Sequence, residues 1–163
     1  MKQLLCTIFT FALWLLLTWA WPPDIADVFV GLVVALLVAT LLSHIYPDNP
    51  HKALDPRRWF WMALYVPYFL WYCVRANLDV AYRVLHPDMP IHPGIVKVRT
   101  DLQSEMAKTF LANSITLTPG TLTVDIDGPD LYIHWINVVG EGVEEHSAII
   151  VRRFEKLLRR VFE

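Results

Sequence analysis

Polar and apolar positions divide this chain into two unlike parts. From Leu4 to Tyr46 there is no Lys or Arg, and the only acids are Asp24 and Asp27. Ten of the fourteen Lys and Arg residues follow Trp59. An apolar front joined to a mixed, basic back predicts a membrane anchor carrying a small water-facing domain. The first run, Leu4 to Trp21, is eighteen residues long. As a helix it reaches about 27 Å, close to a hydrocarbon core of about 30 Å. Nine of its residues are Leu, Ile or Phe, each favouring insertion by roughly 0.3–0.6 kcal/mol near the bilayer centre. Trp19-Ala20-Trp21 is a poor small-residue cleavage site, and a second apolar run follows at once. The segment therefore reads as a span and not as a signal peptide.

Trp21-Pro22-Pro23 breaks the first helix, because proline removes a backbone donor and clashes with the preceding turn. Asp24 is placed to cap the second helix, with Asp27 in its first turn, where both carboxylates meet the positive end of the helix dipole. A role at a cation entrance is the alternative for this pair. The second span is Ile25 to Tyr46. Gly31, Ala35, Ala39 and Ser43 recur every four residues, so they form one smooth stripe that lets another helix approach closely. Two partners fit the stripe: the chain's own first span, or a neighbouring membrane protein. The following loop carries Lys52, Arg57 and Arg58, whereas the Trp21–Asp24 turn carries no positive charge. The positive-inside rule places the loop in the cytoplasm and the turn outside.

Trp59 to Leu85 patterns differently. Its uninterrupted apolar part ends at Val74 and contains Pro67. Arg58, Tyr65, Tyr68, Tyr72, Arg75, Asp79 and Arg83 share one side at helical spacing. Trp and Tyr are dense here, as in the interfacial belt. The pattern predicts a helix lying on the cytoplasmic membrane face; a third crossing, which would carry the tail outside, is the alternative. Arg75 and Asp79, four apart, are placed to pair. A proline-punctuated linker, His86–Gly94, follows. Its two histidines lack helical spacing and further ligands, which argues against a metal site.

The tail reads as strand Ile95–Arg99, helix Ser104–Ser114, strand Thr121–Ile126, strand Leu131–Ile136 and a final helix, Val143–Phe162. Thr118-Pro119-Gly120 is a turn, and Asp127–Asp130 a hairpin loop. In the last helix Ile150, Phe154, Leu157 and Val161 form the apolar face. Arg152, Arg153, Lys156, Arg159 and Arg160 lie largely opposite, facing solvent, an anionic leaflet or an acidic partner. The expected fold is a membrane α-helical hairpin (1–46), then a basic loop, an amphipathic interfacial helix and a linker (47–90). A small α+β domain of β-α-β-β-α order, on the cytoplasmic side, completes the chain (91–163).

Composition agrees. Of 163 residues 55% are hydrophobic and 18% charged, with a mean hydropathy of +0.40, on the membrane side of a soluble average. Cys6 and Cys73 lie in separate apolar runs and suggest fillers, not a disulfide framework. No Ser-His-Asp order, phosphate loop or HExxH motif occurs. Asp125 and Asp127 share a strand face, but solvation accounts for them. These patterns argue against an enzyme, a cofactor, a small-molecule substrate and a nucleic-acid ligand.

Leu111–Gly128, LANSITLTPGTLTVDIDG, together with Pro93–Val96 and Arg75–Val80 (RANLDV), resembles the E subunit of the multisubunit monovalent cation/proton antiporters of Mrp, Mnh or Pha type. The resemblance covers nearly the whole chain. It implies a multi-pass cell-membrane protein in a hetero-oligomer of different membrane subunits, serving as a small companion needed for assembly and activity, with no established cofactor. The large subunits of such assemblies carry the ion pathways. A chain with so few intramembrane ionisable groups is poorly suited to moving sodium, potassium or protons alone. Gly31, Ala35, Ala39 and Ser43 are then the expected helix-docking row, and Asp24, Asp27, Arg57, Arg58, Arg75 and Asp79 the membrane-interface residues. Thr118, Pro119, Gly120 and Thr121 form a structural turn and a candidate subunit contact. A free-standing membrane-anchored adaptor for a soluble partner is the rival reading.

Overall fold

The computed structural model describes residues 2–18, 24–42 and 55–163. They fall into two compact units, Met1–Asp55 and Pro56–Glu163. In the first, α1 (Lys2–Thr18) packs on α2 (Ile25–Leu42). The Ile25 amide donates to Asp24 Oδ1 at 2.7 Å and the Val28 amide to the Asp24 carbonyl at 3.1 Å. Asp24 therefore starts α2 as expected, with Asp27 in the first turn. Among the described residues α2 is the one helix long and apolar enough to cross a bilayer; the apolar helix Gln3–Thr18 is shorter. The proline break, Ser43, and the loop as far as residue 54 lie outside the described residues.

The second unit begins with α3 (Pro56–Leu85), thirty residues and about 45 Å long. Strand β1 (Gly94–Arg99), helix α4 (Glu105–Leu117), strands β2 (Thr121–Asp127) and β3 (Asp130–Trp135), and helices α5 (Gly142–Ile150) and α6 (Arg152–Phe162) follow. The sheet is antiparallel in the order β1-β3-β2. The β2–β3 hairpin turns through Gly128 and Pro129. Gly128 has φ +58°, which glycine adopts without strain, and proline presets the next residue near −65°. A bulge interrupts the register between Thr123 and Asp125. It leaves Val124 as an extra residue on an edge strand, which hinders edge-to-edge pairing.

The final helix is two helices, not one. It breaks at Val151, which is buried. The break lets α5 lie on β1 while α6 packs on α3 and α4. Val98, Leu131, Ile133, Leu111, Ile115, Ile150, Phe154 and Leu158 form the core, and Tyr65 of α3 joins it. The tail's core thus extends into the long helix, which the sequence pattern sets apart as a membrane-surface element.

Candidate functional site

The small-residue row lies in the seam of the helical pair. Gly31, Ala35 and Ala39 are buried in α2. A Cβ on Gly31 would stand 2.7 Å from Trp14 Nε1, so glycine is what allows the indole of α1 to lie against α2. Of the two partners the stripe fits, α1 is the one in contact here. The outward side of α2, including Phe29, Leu36 and Leu41, is exposed.

The polar stripe of α3 faces its own domain. The Tyr65 hydroxyl meets Ser114 Oγ in the interior. Tyr68 donates to the Arg153 carbonyl at 2.9 Å, and Arg58 to the Phe162 carbonyl at 3.1 Å, a last-turn carbonyl of α6 that lacks a helical partner. Phe154 is enclosed by the rings of Tyr65, Phe69 and Tyr72 at centroid distances of 6.5, 6.1 and 5.6 Å. Two basic residues expected on the outer side of the last helix lie against aromatic rings of α3. The Arg160 guanidinium stacks 4.3 Å from the Trp61 ring centroid, and that of Arg153 lies 5.5 Å from Tyr72. Such cation–π contacts hold best where water is excluded. Arg152 and Arg159 do reach acids, Glu144 and Glu155, each at 3.1 Å. The other side of α3 is apolar and open: Phe60, Leu64, Trp71, Val74, Leu78 and Leu85 are exposed, and they fall within about 40° of one line along the helix.

The RANLDV and TLTPGT segments, distant in sequence, meet at a single cavity. Threonine hydroxyls of the TLTPGT turn satisfy carbonyls at the end of α4, Thr118 donating to Ser114 at 2.7 Å and Thr121 to Ile115 at 2.6 Å, and Thr123 of β2 donates to the Ala112 carbonyl of α4 at 3.1 Å. Gly120 has φ +89°, and a Cβ there would stand 2.9 Å from Ile136 Cγ2 and 3.5 Å from Val80 Cγ2. The turn therefore needs glycine both for its backbone and for its approach to α3. Beside it opens a cavity of about 480 Å³. Tyr72, Arg75, Asp79 and Arg83 of α3, the Thr118–Thr121 turn, Asn137 and Arg153 are among its walls.

The expected Arg75–Asp79 pair does not form. Asp79 is taken by Arg83, whose Nε and Nη2 donate to its two carboxylate oxygens at 2.8 and 3.2 Å, while Nη1 donates to the Pro90 carbonyl at 2.6 Å. No carboxylate pairs with Arg75 or Arg153 among the described residues. Burial pulls Arg153 below its ordinary pKa, and the neighbouring Arg75 charge pulls it the same way. Arg153 and Asn137 were not expected here. The signal was faint: Arg152 and Arg153 precede Phe154, so one of two adjacent arginines has to follow the apolar ring inward.

Elsewhere Asp130, expected only as a loop residue, joins Lys97 Nζ at 2.7 Å and Arg99 Nε at 2.9 Å across the sheet. Hydrogen bonds from these two cations hold its carboxyl below the usual range. His92 Nδ1 lies 3.3 Å from Asn137 Oδ1, and the Val138 amide donates to the His92 carbonyl at 2.9 Å, tying the linker to the domain. Among the described residues no group of three or more His, Cys, Asp or Glu is placed to hold a metal.

Residues 7–161 match the family model described as Na+/H+ ion antiporter subunit. The chain belongs to that family. Its relatives include the E subunit of the Na(+)/H(+) antiporter of Alkalihalophilus pseudofirmus, 35% identical over 69% of this chain and 70% of that one. The E1 subunit of the Na(+)/H(+) antiporter of Staphylococcus aureus is 30% identical over 99% of this chain and 98% of the relative. Among solved structures, a chain of the archaeal membrane-bound sulfane sulfur reductase, a respiratory membrane complex, is 44% identical. It superposes with a TM-score of 0.81 over 99% of both chains. The resemblance seen in the TLTPGT and RANLDV segments thus extends over nearly the whole chain.

Proposed function

We propose that this chain is a non-catalytic accessory subunit of a multisubunit Na+(K+)/H+ antiporter-type complex in the cell membrane. On this reading the helical pair docks among larger membrane subunits, α3 lies along the cytoplasmic surface, and the α+β domain stays in the cytoplasm. One observation carries most of the weight. Within the described spans the charged residues stand at the helix starts: Lys2 on α1, Asp24 just before α2 and Asp27 in its first turn. An ion pathway needs charged or polar relays at membrane depth, and this pair offers close-packed backbone instead. The seam row serves docking by holding the pair as one body, and the Thr118–Thr121 turn is a candidate contact for a neighbouring subunit.

Gly31→Leu with Ala35→Leu should part the helices and release the chain from its complex. Full co-purification of the double variant would remove the docking role. Cation–proton exchange by the chain alone in liposomes would overturn the accessory role. Single cysteines at Asp24, Asn49 and Gly128, labelled from each side of the membrane, test the topology; labelling of Gly128 from outside only would make α3 a crossing helix. A stable monomer in the native membrane would favour the free-standing adaptor.

The identities support a second reading of the host. The likeness to the respiratory-complex chain, at 44%, exceeds the 30–35% to the antiporter subunits. The host complex is then a respiratory assembly carrying an antiporter-type module. Affinity purification of the tagged chain decides: redox subunits in the eluate favour this reading, and antiporter subunits alone favour the first.

A further inference from the structure

We propose that the cavity beside the Thr118–Thr121 turn binds the phosphate of an anionic phospholipid, with Arg75 and Arg153 as its ligands. The site rests on α3 lying at the membrane surface. Three guanidiniums and one carboxylate line the cavity, and the carboxylate is bound in bidentate fashion by Arg83. Two positive charges are left without a carboxylate partner in one concave space. Such a space favours an anion, and guanidinium forks match phosphate oxygens. Asn137 adds polar lining.

The choice of lipid over a free anion comes from what adjoins the cavity. Arg75 is exposed and stands on α3 at the border between the cavity side and the open apolar side. Val74 and Leu78, on that apolar side, are 53% and 67% exposed. A headgroup seated against Arg75 and Arg153 would leave its acyl chains along Trp71, Val74 and Leu78. The cavity, at about 480 Å³, has room for a glycerophosphate head. The formal charge needs an anionic lipid, since a zwitterionic head would bring its own cation into a space that already holds unpaired arginines.

The test uses the full-length chain in nanodiscs of phosphatidylcholine with a minor fraction of phosphatidylglycerol, followed by gentle release and native mass spectrometry. Wild type should retain phosphatidylglycerol over phosphatidylcholine. Arg75→Gln, an exposed change that leaves the core intact, should lower that retention about tenfold, the worth of one charged hydrogen bond. Arg75→Lys should restore part of it. Equal retention by wild type and Arg75→Gln overturns the proposal. So does displacement of the lipid by millimolar inorganic phosphate, which would mark a free-anion site. Loss of a neighbouring subunit from the purified complex on Arg75→Gln, with lipid count unchanged, would assign the arginines to a protein carboxylate and also overturn it. A fluorophore on Leu78→Cys, with Cys6 and Cys73 replaced by alanine, separates the underlying reading. Quenching by brominated lipid without phosphatidylglycerol preference refutes the lipid site alone, and absence of quenching refutes the surface position of α3 as well.

Discussion

Removing Phe154 tests whether α3 belongs to the tail domain. Its side chain is 1% exposed and touches three aromatic rings of α3. Phe154→Ala removes the central filler between α3 and α6. Phe to Ala in a core costs about 3–5 kcal/mol, and three edge-on or tilted ring pairs, each worth about 0.5–1.5 kcal/mol beyond area, place this site toward the upper end. A domain of this size has a total stability of about 5–15 kcal/mol, so the variant keeps little margin. At roughly 4 °C per kcal/mol the expected loss in melting temperature is about 12–20 °C. Phe154→Leu retains most of the apolar volume and should cost less than about 1.5 kcal/mol. The assay is thermal unfolding of the full chain in mild detergent, followed by near-ultraviolet circular dichroism, which reports the packing of aromatic rings. A shift below about 4 °C for Phe154→Ala would mean that α3 and α6 do not share a core.

Gly31→Leu alone should cost about 1–3 kcal/mol by overpacking, because its first carbon would already press on the Trp14 indole; cross-linking between cysteines on α1 and α2 should fall in parallel. Gly120→Ala imposes a left-handed backbone on a residue with a Cβ and crowds Ile136. A loss of about 1–3 kcal/mol is expected in the same melting assay, whereas Gly128→Ala, where a Cβ meets open space, should lose less. Asp130→Asn should remove an acid-sensitive part of the stability. The carboxyl is held below its ordinary pKa by Lys97 and Arg99, so its contribution is present above the unfolded value and lost as pH falls through the folded one. The wild-type advantage should therefore be full above about pH 5 and shrink below about pH 4. An advantage that grows in acid would refute the pairing.

The elements were legible in the sequence because each has a strong local cause. Alternation marked the strands, the Gly128-Pro129 pair marked the hairpin, and the charge-free runs marked the first two helices. Three features were not legible. The stripe Tyr65, Tyr68, Tyr72 was visible as a stripe, but periodicity says only that one side differs from the other, not which side is buried. Tyrosine suits both a membrane interface and a half-polar core. The hydroxyl contacts to Ser114 and to the Arg153 carbonyl put it in the core. The break at Val151 was hidden because its residues have no helix-breaking chemistry; only the two packing directions of α5 and α6 require it. For the cavity, the two motifs were visible and their meeting was not, since Val80 and Gly120 are forty residues apart and their contact depends on the whole domain folding first.

With α3 at the membrane surface, as proposed, its orientation would couple the domain to the bilayer. A surface helix of a water-soluble protein buries its apolar side and shows its polar side. Here the side bearing Tyr65, Tyr68, Arg75, Asp79 and Arg83 meets the domain or its cavity, and the side bearing Phe60, Trp71, Leu78 and Leu85 is open. Water would make that arrangement costly, at roughly 25 cal/mol for each Å² of apolar surface left exposed. Lipid removes the cost, and it does so without breaking any contact between α3 and α6. The domain and the membrane surface then share one helix, each using a different side of it. Moving the domain relative to the bilayer would require either wetting the apolar side or uncovering Phe154. A subunit fixed in that way would hold its neighbours at a set distance from the membrane plane, which is compatible with the proposed accessory role.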